Sequence, residues 1–199
     1  TVNNKFTFFV LRIFLALLLV VKPLPLLAQQ PLQLLFKHAL ESSKNGDFSE
    51  ALERWDQVLE FYPEEALALS NRGNVRFALG DFEGAIADQT KSIQILPFEV
   101  DSHFNRGIAE EALQKWEKAA TDFDWILERN PEDASALYNL GNVRVAQGNW
   151  EQAKLLFQQA ELARPGFVMA RSSKALMDYQ LGDLDKAESE FRSLIRKYP

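Results

Sequence analysis

The chain has 199 residues, 47% hydrophobic and 25% charged, with 22 Lys+Arg against 28 Asp+Glu, a composition that suits one globular or solenoid unit. It contains no cysteine, which excludes disulfides, cysteine-ligated zinc, thiol catalysis and lipoprotein-type lipid attachment. Residues 29–199 hold 19 of the basic and all 28 of the acidic residues, a net charge of −9, so the basic footprint of a nucleic-acid binder is missing, as is a surface suited to anionic membranes.

Residues 1–28 stand apart from the rest. Lys5 and Arg12 precede the apolar run Ile13–Val21, which is followed by Lys22, Pro23, Pro25 and Leu26-Leu27-Ala28-Gln29-Gln30. A positive start, a short apolar core and a small residue before a polar stretch describe a secretory signal peptide, with cleavage expected after Ala28. The alternative is an uncleaved membrane anchor over residues 8–27, which reaches the ~20 residues needed to cross a bilayer. Arg12, Lys22, Pro23 and Pro25 count against it. A membrane is thus expected to be met only through an uncleaved N-terminus.

From residue 29 onward the chain keeps a strict beat. Pro63, Pro97, Pro131, Pro165 and Pro199 stand 34 residues apart, and seven of the nine glycines fall in two slots of that period. Each period reads as two helices; in the second they are expected over roughly Glu65–Leu79 and Asp81–Leu96, with Gly80 at the turn. Proline ends the second helix because it has no N–H to donate and disfavours α geometry in the residue before it. Small residues recur at Ala39, Gly73, Gly107, Gly141 and Ala175 in the first helix, and at Ala51, Ala85, Ala119, Ala153 and Ala187 in the second. Helices cross closely only where side chains are short, so these slots are expected to face each other. Bulk surrounds them at Trp55, Phe123, Phe157 and Phe191, with Gln89 the one polar occupant of that slot.

This pattern of a small residue, a Gly-aromatic turn, Ala, Phe and Pro over 34 residues resembles the tetratricopeptide repeat (TPR). The resemblance covers the units 32–65, 66–99, 100–133, 134–167 and 168–199, a domain over 29–199, and implies an all-α, right-handed α-solenoid of five helix-turn-helix units. Arg72-Gly73-Asn74 with Gly84-Ala85-Ile86-Ala87-Asp88 is similar to exported and lumenal TPR proteins of cyanobacteria and plastids. That likeness implies an exported protein of the periplasm or thylakoid lumen. An array of this kind usually continues into a capping helix, so Thr1 and Pro199 read as the ends of a fragment.

Little in the sequence points to chemistry. His103 takes the slot of Leu69 and Leu137, His38 that of Arg72 and Arg106, and neither has a partner at metal-ligand spacing. No phosphate loop, dinucleotide fingerprint or nucleophile elbow is present. The expectation is a non-enzymatic protein-interaction scaffold without a cofactor or metal, taking a partner peptide or helix in a concave groove, in the assembly or maintenance of a membrane complex. Two other readings are an accessory repeat region of a larger enzyme whose catalytic domain lies beyond residue 199, and a self-associating structural protein.

TPR domains that hold a chaperone's C-terminal carboxylate use lysines and an arginine on the inward faces of the first helices. The matching positions here hold Ser70, Asp101, Phe104 and Ser135, so no such clamp is expected. Asn71, Asn105 and Asn139 instead fill one mid-helix slot in three consecutive units, with Asn74 and Asn142 one turn on. Asparagine is a poor helix-interior residue, and its repetition asks for a reason. One is hydrogen bonding between adjacent units; the other is a ladder of amides that meets a peptide backbone, each offering donor and acceptor. On the second reading Asn71, Asn74, Phe77, Phe104, Asn105, Ile108, Tyr138, Asn139 and Asn142 form the binding strip.

A last pattern is internal to the repeat. The slots of Arg72 and Asp88 hold Arg/Asp in units two and three, Leu140/Leu156 in unit four, and Lys174/Glu190 in unit five. This predicts ion pairs Arg72–Asp88 and Arg106–Asp122 and none in unit one, where the slots hold His38 and Arg54.

Overall fold

A computed structural model of the chain describes residues 32–197, and the expected signal peptide lies outside them. They form ten α-helices: α1 (Leu32–Asn45), α2 (Phe48–Phe61), α3 (Ala66–Ala78), α4 (Phe82–Ile95), α5 (Val100–Ala112), α6 (Trp116–Leu127), α7 (Ala134–Ala146), α8 (Trp150–Ala163), α9 (Val168–Gln180) and α10 (Leu184–Lys197). No strand occurs among the described residues. Each helix packs on the next in sequence, and first helices of neighbouring units also meet: α1 with α3, α3 with α5, α5 with α7. These are the five expected helical hairpins. Among the described residues no helix is long and apolar enough to cross a membrane.

Both turns of the period have a clear local cause. After α3 the Gly80 N–H reaches the Phe77 carbonyl (3.0 Å) and the Asp81 N–H the Arg76 carbonyl (2.9 Å), the Schellman closure that wants a left-handed residue at its centre. Gly80 supplies it at φ +83°. The same five-residue reach recurs at Asp47, Lys115, Asn149 and Asp183. In unit three the left-handed position falls to Gln114, at φ 57°. The repeating proline sits in a second kind of turn. Glu65 N–H bonds the Tyr62 carbonyl (3.1 Å), Glu99 that of Leu96 (3.2 Å), Asp133 that of Asn130 (3.1 Å) and Phe167 that of Arg164 (3.0 Å). Proline is the second residue of each of these β-turns, where its fixed φ is an advantage. It therefore starts the turn as well as ending the helix.

The small slots are buried, but only Gly73 has the alanine slot, through the Ala85 carbonyl, among its nearest neighbours; Gly107 and Gly141 look onto the ring slot instead. Ala51, Ala85, Ala119, Ala153 and Ala187 are all buried, as are Ala39 and Ala175. A Cβ added to Gly107 would stand 2.9 Å from the Phe123 ring, and one on Gly141 only 2.5 Å from the Phe157 ring. These glycines are there to seat a ring from the second helix.

The apolar core is not continuous. One cluster, with Leu35, Trp55, Val58 and Leu69, fills unit one and the first helix of unit two. Others, around Phe123, Leu140 and Val143 and around Phe157 and Met177, fill units three to five. Between them α4 buries Ala85, Asp88, Gln89 and Ser92. Ser92 stands where Val58, Ile126, Ala160 and Leu194 stand in the other units; its hydroxyl donates to the Ala66 carbonyl (2.9 Å) and so accepts from the Ser102 hydroxyl (2.9 Å). The second unit is held by polar contacts where its neighbours use hydrocarbon.

Candidate functional site

The predicted strip lies on the first helices, and the structure divides it. Asn74, Phe77, Asn105 and Ile108, from α3 and α5, line one cleft of about 160 Å³ together with Gly73, Ala85 and Gln89. Phe104 is half-buried against Phe123, with ring centroids 5.9 Å apart. Tyr138 lies between Phe157 (5.6 Å) and Phe167 (5.2 Å). Asn139 and Asn142 are half-buried on the same helix as Tyr138, and Asn71 is half-buried on α3 outside the cleft.

Two of the asparagines are tied within their own helices. Asn71 Nδ2 donates to the Leu67 carbonyl (2.7 Å) and Asn139 Nδ2 to the Ser135 carbonyl (2.8 Å), each four residues back in its own helix. Such back-bonding explains how an amide is accommodated in mid-helix. It uses one of the two N–H groups and leaves the other and the oxygen for another partner. Asn74 differs, since its Oδ1 accepts from Gln89 Nε2 (2.9 Å).

Gln89 was visible in the sequence as a break in an aromatic slot, but its role was not. Its Nε2 also donates to the Ser70 carbonyl (2.9 Å), while its Oε1 is buried and has no partner among the described residues. Ser70 is the matching break on α3. The same two slots hold edge-on or tilted rings in three other units: Phe36–Trp55 (4.8 Å), Phe104–Phe123 (5.9 Å) and Tyr138–Phe157 (5.6 Å). Unit two has a serine and a glutamine there, and the cleft opens beside them.

The predicted ion pairs form. Arg72 grips Asp88 through Nε (2.8 Å) and Nη2 (2.7 Å), and Arg106 grips Asp122 likewise (2.8 and 2.7 Å). Both carboxylates are buried, and these hydrogen bonds hold both guanidinium groups above their ordinary pKa. The arginines reach further than the pattern implied. Arg72 Nη1 bonds Asp56 of the preceding unit (2.7 Å), and Arg106 Nη1 bonds Thr90 (3.3 Å). Unit one has no pair between its two slots, since Arg54 bonds Glu50 in its own helix (2.6 Å). In unit five the partners are exchanged: Lys174 reaches back to Glu161 (2.6 Å) and Glu190 meets Arg171 (2.8 Å).

His103 is a packing residue. It is buried, stacked on Trp125 at 3.7 Å, and bonded through Nδ1 to Asp122 Oδ1 (2.9 Å). Arg129 covers the Trp125 ring at 3.7 Å. Among the described residues no cluster of three His, Asp or Glu is placed to hold a metal.

The family model described as tetratricopeptide repeat matches residues 36–99, 104–153 and 138–199. The chain belongs to the tetratricopeptide repeat family. No curated protein sequence matches it. Among solved structures it is similar to residues 41–end of MamA from Desulfovibrio magneticus RS-1, at 18% identity and a TM-score of 0.77, over 83% of this chain and 93% of that one. A TPR protein from Parabacteroides merdae gives 24% identity and a TM-score of 0.76, over 84% and 67% of the two chains. YrrB, described as a TPR protein with an unusual peptide-binding site, gives 20% identity and a TM-score of 0.69, over 83% and 85%. At these identities the likeness is one of fold. TPR proteins bind protein partners and are typically non-catalytic, and this TPR chain shares the architecture that does so.

Proposed function

We propose that this TPR protein is a non-enzymatic scaffold that holds an extended segment of a partner along the face shared by its first helices. The observation that carries the reading is the character of that face. Amides recur at one pitch on α3, α5 and α7, each with hydrogen-bonding capacity left over, and apolar groups such as Phe77 and Ile108 stand beside them. A polypeptide backbone needs donors and acceptors at a regular interval, and its side chains need apolar hollows. The peptide-binding site of YrrB on a fold of this kind supports the reading.

Export, and a role in assembling or maintaining a membrane complex, belong to the same proposal. Their support is the basic-then-apolar composition of residues 1–28 and the likeness of the unit-two run Arg72-Gly73-Asn74 with Gly84–Asp88 to exported TPR proteins. Expression in a bacterial export host is expected to yield a chain beginning at Gln29; an intact N-terminus in the membrane fraction would decide for the anchor.

The groove itself is tested by substitution. Replacing any one of Asn71, Asn105 and Asn139 by alanine is expected to weaken binding of a captured partner by ~0.5–1.5 kcal/mol, the net worth of one hydrogen bond. Undiminished affinity in the triple alanine variant would overturn the reading.

A further inference from the structure

Unit two departs from its neighbours twice at one place. Units one, three and four close their first-helix face with a ring from each helix, whereas unit two offers Ser70 and Gln89. Gly73 is nevertheless kept on α3, in the slot where Gly107 and Gly141 make room for Phe123 and Phe157. In unit two this glycine lies against the slimmer Gln89 amide, which stands 2.9 Å from where a Cβ would be, in place of a ring. What remains is the cleft of about 160 Å³ between α3 and α5. Its size is that of an internal cavity of about 150 Å³ known to take a benzene molecule.

The wall of this cleft also has a chemical preference. Gln89 is 1% exposed. Its nitrogen is committed to the Ser70 carbonyl and to Asn74 Oδ1, both acceptors, which fixes the orientation of the amide. Its oxygen is then a buried acceptor lacking a donor. Native structures leave few such groups, and each asks for an explanation. Phe77 and Ile108 supply the apolar part of the lining.

We propose that this cleft is an anchor subsite that takes one ring-sized side chain with its own N–H or O–H donor, a tyrosine or tryptophan of the bound segment. The incoming ring stands in for the aromatic pair that the other units build internally, and its donor satisfies Gln89. The subsite rests on the groove reading above and gives it a register, since one anchored ring fixes which residue of the segment faces which unit.

Gln89→Phe supplies the ring from within. It recreates the combination Gly141, Asn142 and Phe157 that unit four already houses, so the variant is expected to fold, with amide spectra as well dispersed as those of the parent. Two experiments on the full chain test the subsite. In the first, phenol and toluene are titrated against the isotopically labelled protein. Phenol is expected to shift the side-chain amide signals of Gln89 and Asn74 and to bind roughly two- to tenfold more tightly than toluene, the range of one net hydrogen bond. The Gln89→Phe chain is expected to show no response at Asn74. Unmoved Gln89 and Asn74 signals, or an unchanged response in the variant, would overturn the subsite. In the second, random peptides are selected on both chains. Tyrosine or tryptophan at one fixed position on the parent, lost on the variant, supports the subsite. The same sequences from both chains would overturn it and leave the groove standing. No peptide from either chain, with no phenol response, would remove the groove and the subsite together.

Discussion

Gly141 shows how little freedom a single position has in this chain. The Cβ of an alanine there would stand 2.5 Å from the Phe157 ring, so the ring or the helix must move. Gly141→Ala is expected to destabilise by ~1–3 kcal/mol, the usual cost of overpacking, read from urea denaturation. Gly73→Ala meets instead the end of the Gln89 side chain, at 2.9 Å from Nε2, and is expected to disturb the hydrogen bonds that hold this amide to Ser70 and Asn74. Glu110 illustrates a different stress. Burial, and then the nearby Asp122 charge, push its pKa above the ordinary carboxylate value. A carboxylate whose folded pKa is raised binds more protons folded than unfolded, so stability falls as pH rises through that window. The penalty is absent below the unfolded carboxylate pKa and complete above the folded one. Glu110→Gln is therefore expected to raise the thermal midpoint at pH 7, and the gain should vanish as pH is lowered through the carboxylate range. A midpoint that falls at pH 7 would contradict this.

At the scale of the helix pair, the buried ion pair is the element with an internal control. Asp88 is almost fully buried between Arg72 and Arg76, whereas unit four uses Leu140 and Leu156 in the slots of Arg72 and Asp88. Removing one member of a buried pair leaves an uncompensated charge and costs roughly 3–5 kcal/mol, while a well-packed apolar replacement of both is often neutral. Asp88→Leu alone is expected to cost about 3 kcal/mol, the low end because Arg72 keeps Asp56 and Arg76 keeps Asp81. Arg72→Leu with Asp88→Leu is expected to recover most of that loss in the same denaturation experiment. Pairing of this kind was legible in the sequence because charge covaries between two slots of a repeat. So were the helices, whose turns are set by local residues such as Gly80 and Pro97. The exchange of partners in unit five was not, because Lys174 and Arg171 both lie within reach of Glu161 and only geometry decides among them. Of the candidate site, the period placed Asn74, Phe77, Asn105 and Ile108 on adjacent first helices. It did not show the cleft, which arises from what Ser70 and Gln89 fail to fill.

Considered whole, the protein is acidic, yet the strip on its first helices is nearly neutral, with Asp101 and Glu111 the carboxylates among the inward positions of units two to four. Binding there is expected to change little between low and physiological salt, since screening acts on charge and not on amides or hydrocarbon; a steep salt dependence measured by calorimetry would point to another surface. Architecture of this kind distributes stability as local terms plus interfaces between neighbours. Here the polar interior of α4 separates the hydrocarbon of unit one from that of units three to five. Such a seam is where a boundary between cooperative unfolding blocks is expected to fall. Amide hydrogen exchange should then resolve two groups of protection factors, one N-terminal to the seam and one C-terminal. The cleft is built from both sides of it, by α3 and α5. A ligand seated there acts as a rivet between two independently opening blocks, and occupancy should slow exchange in helices that never touch it.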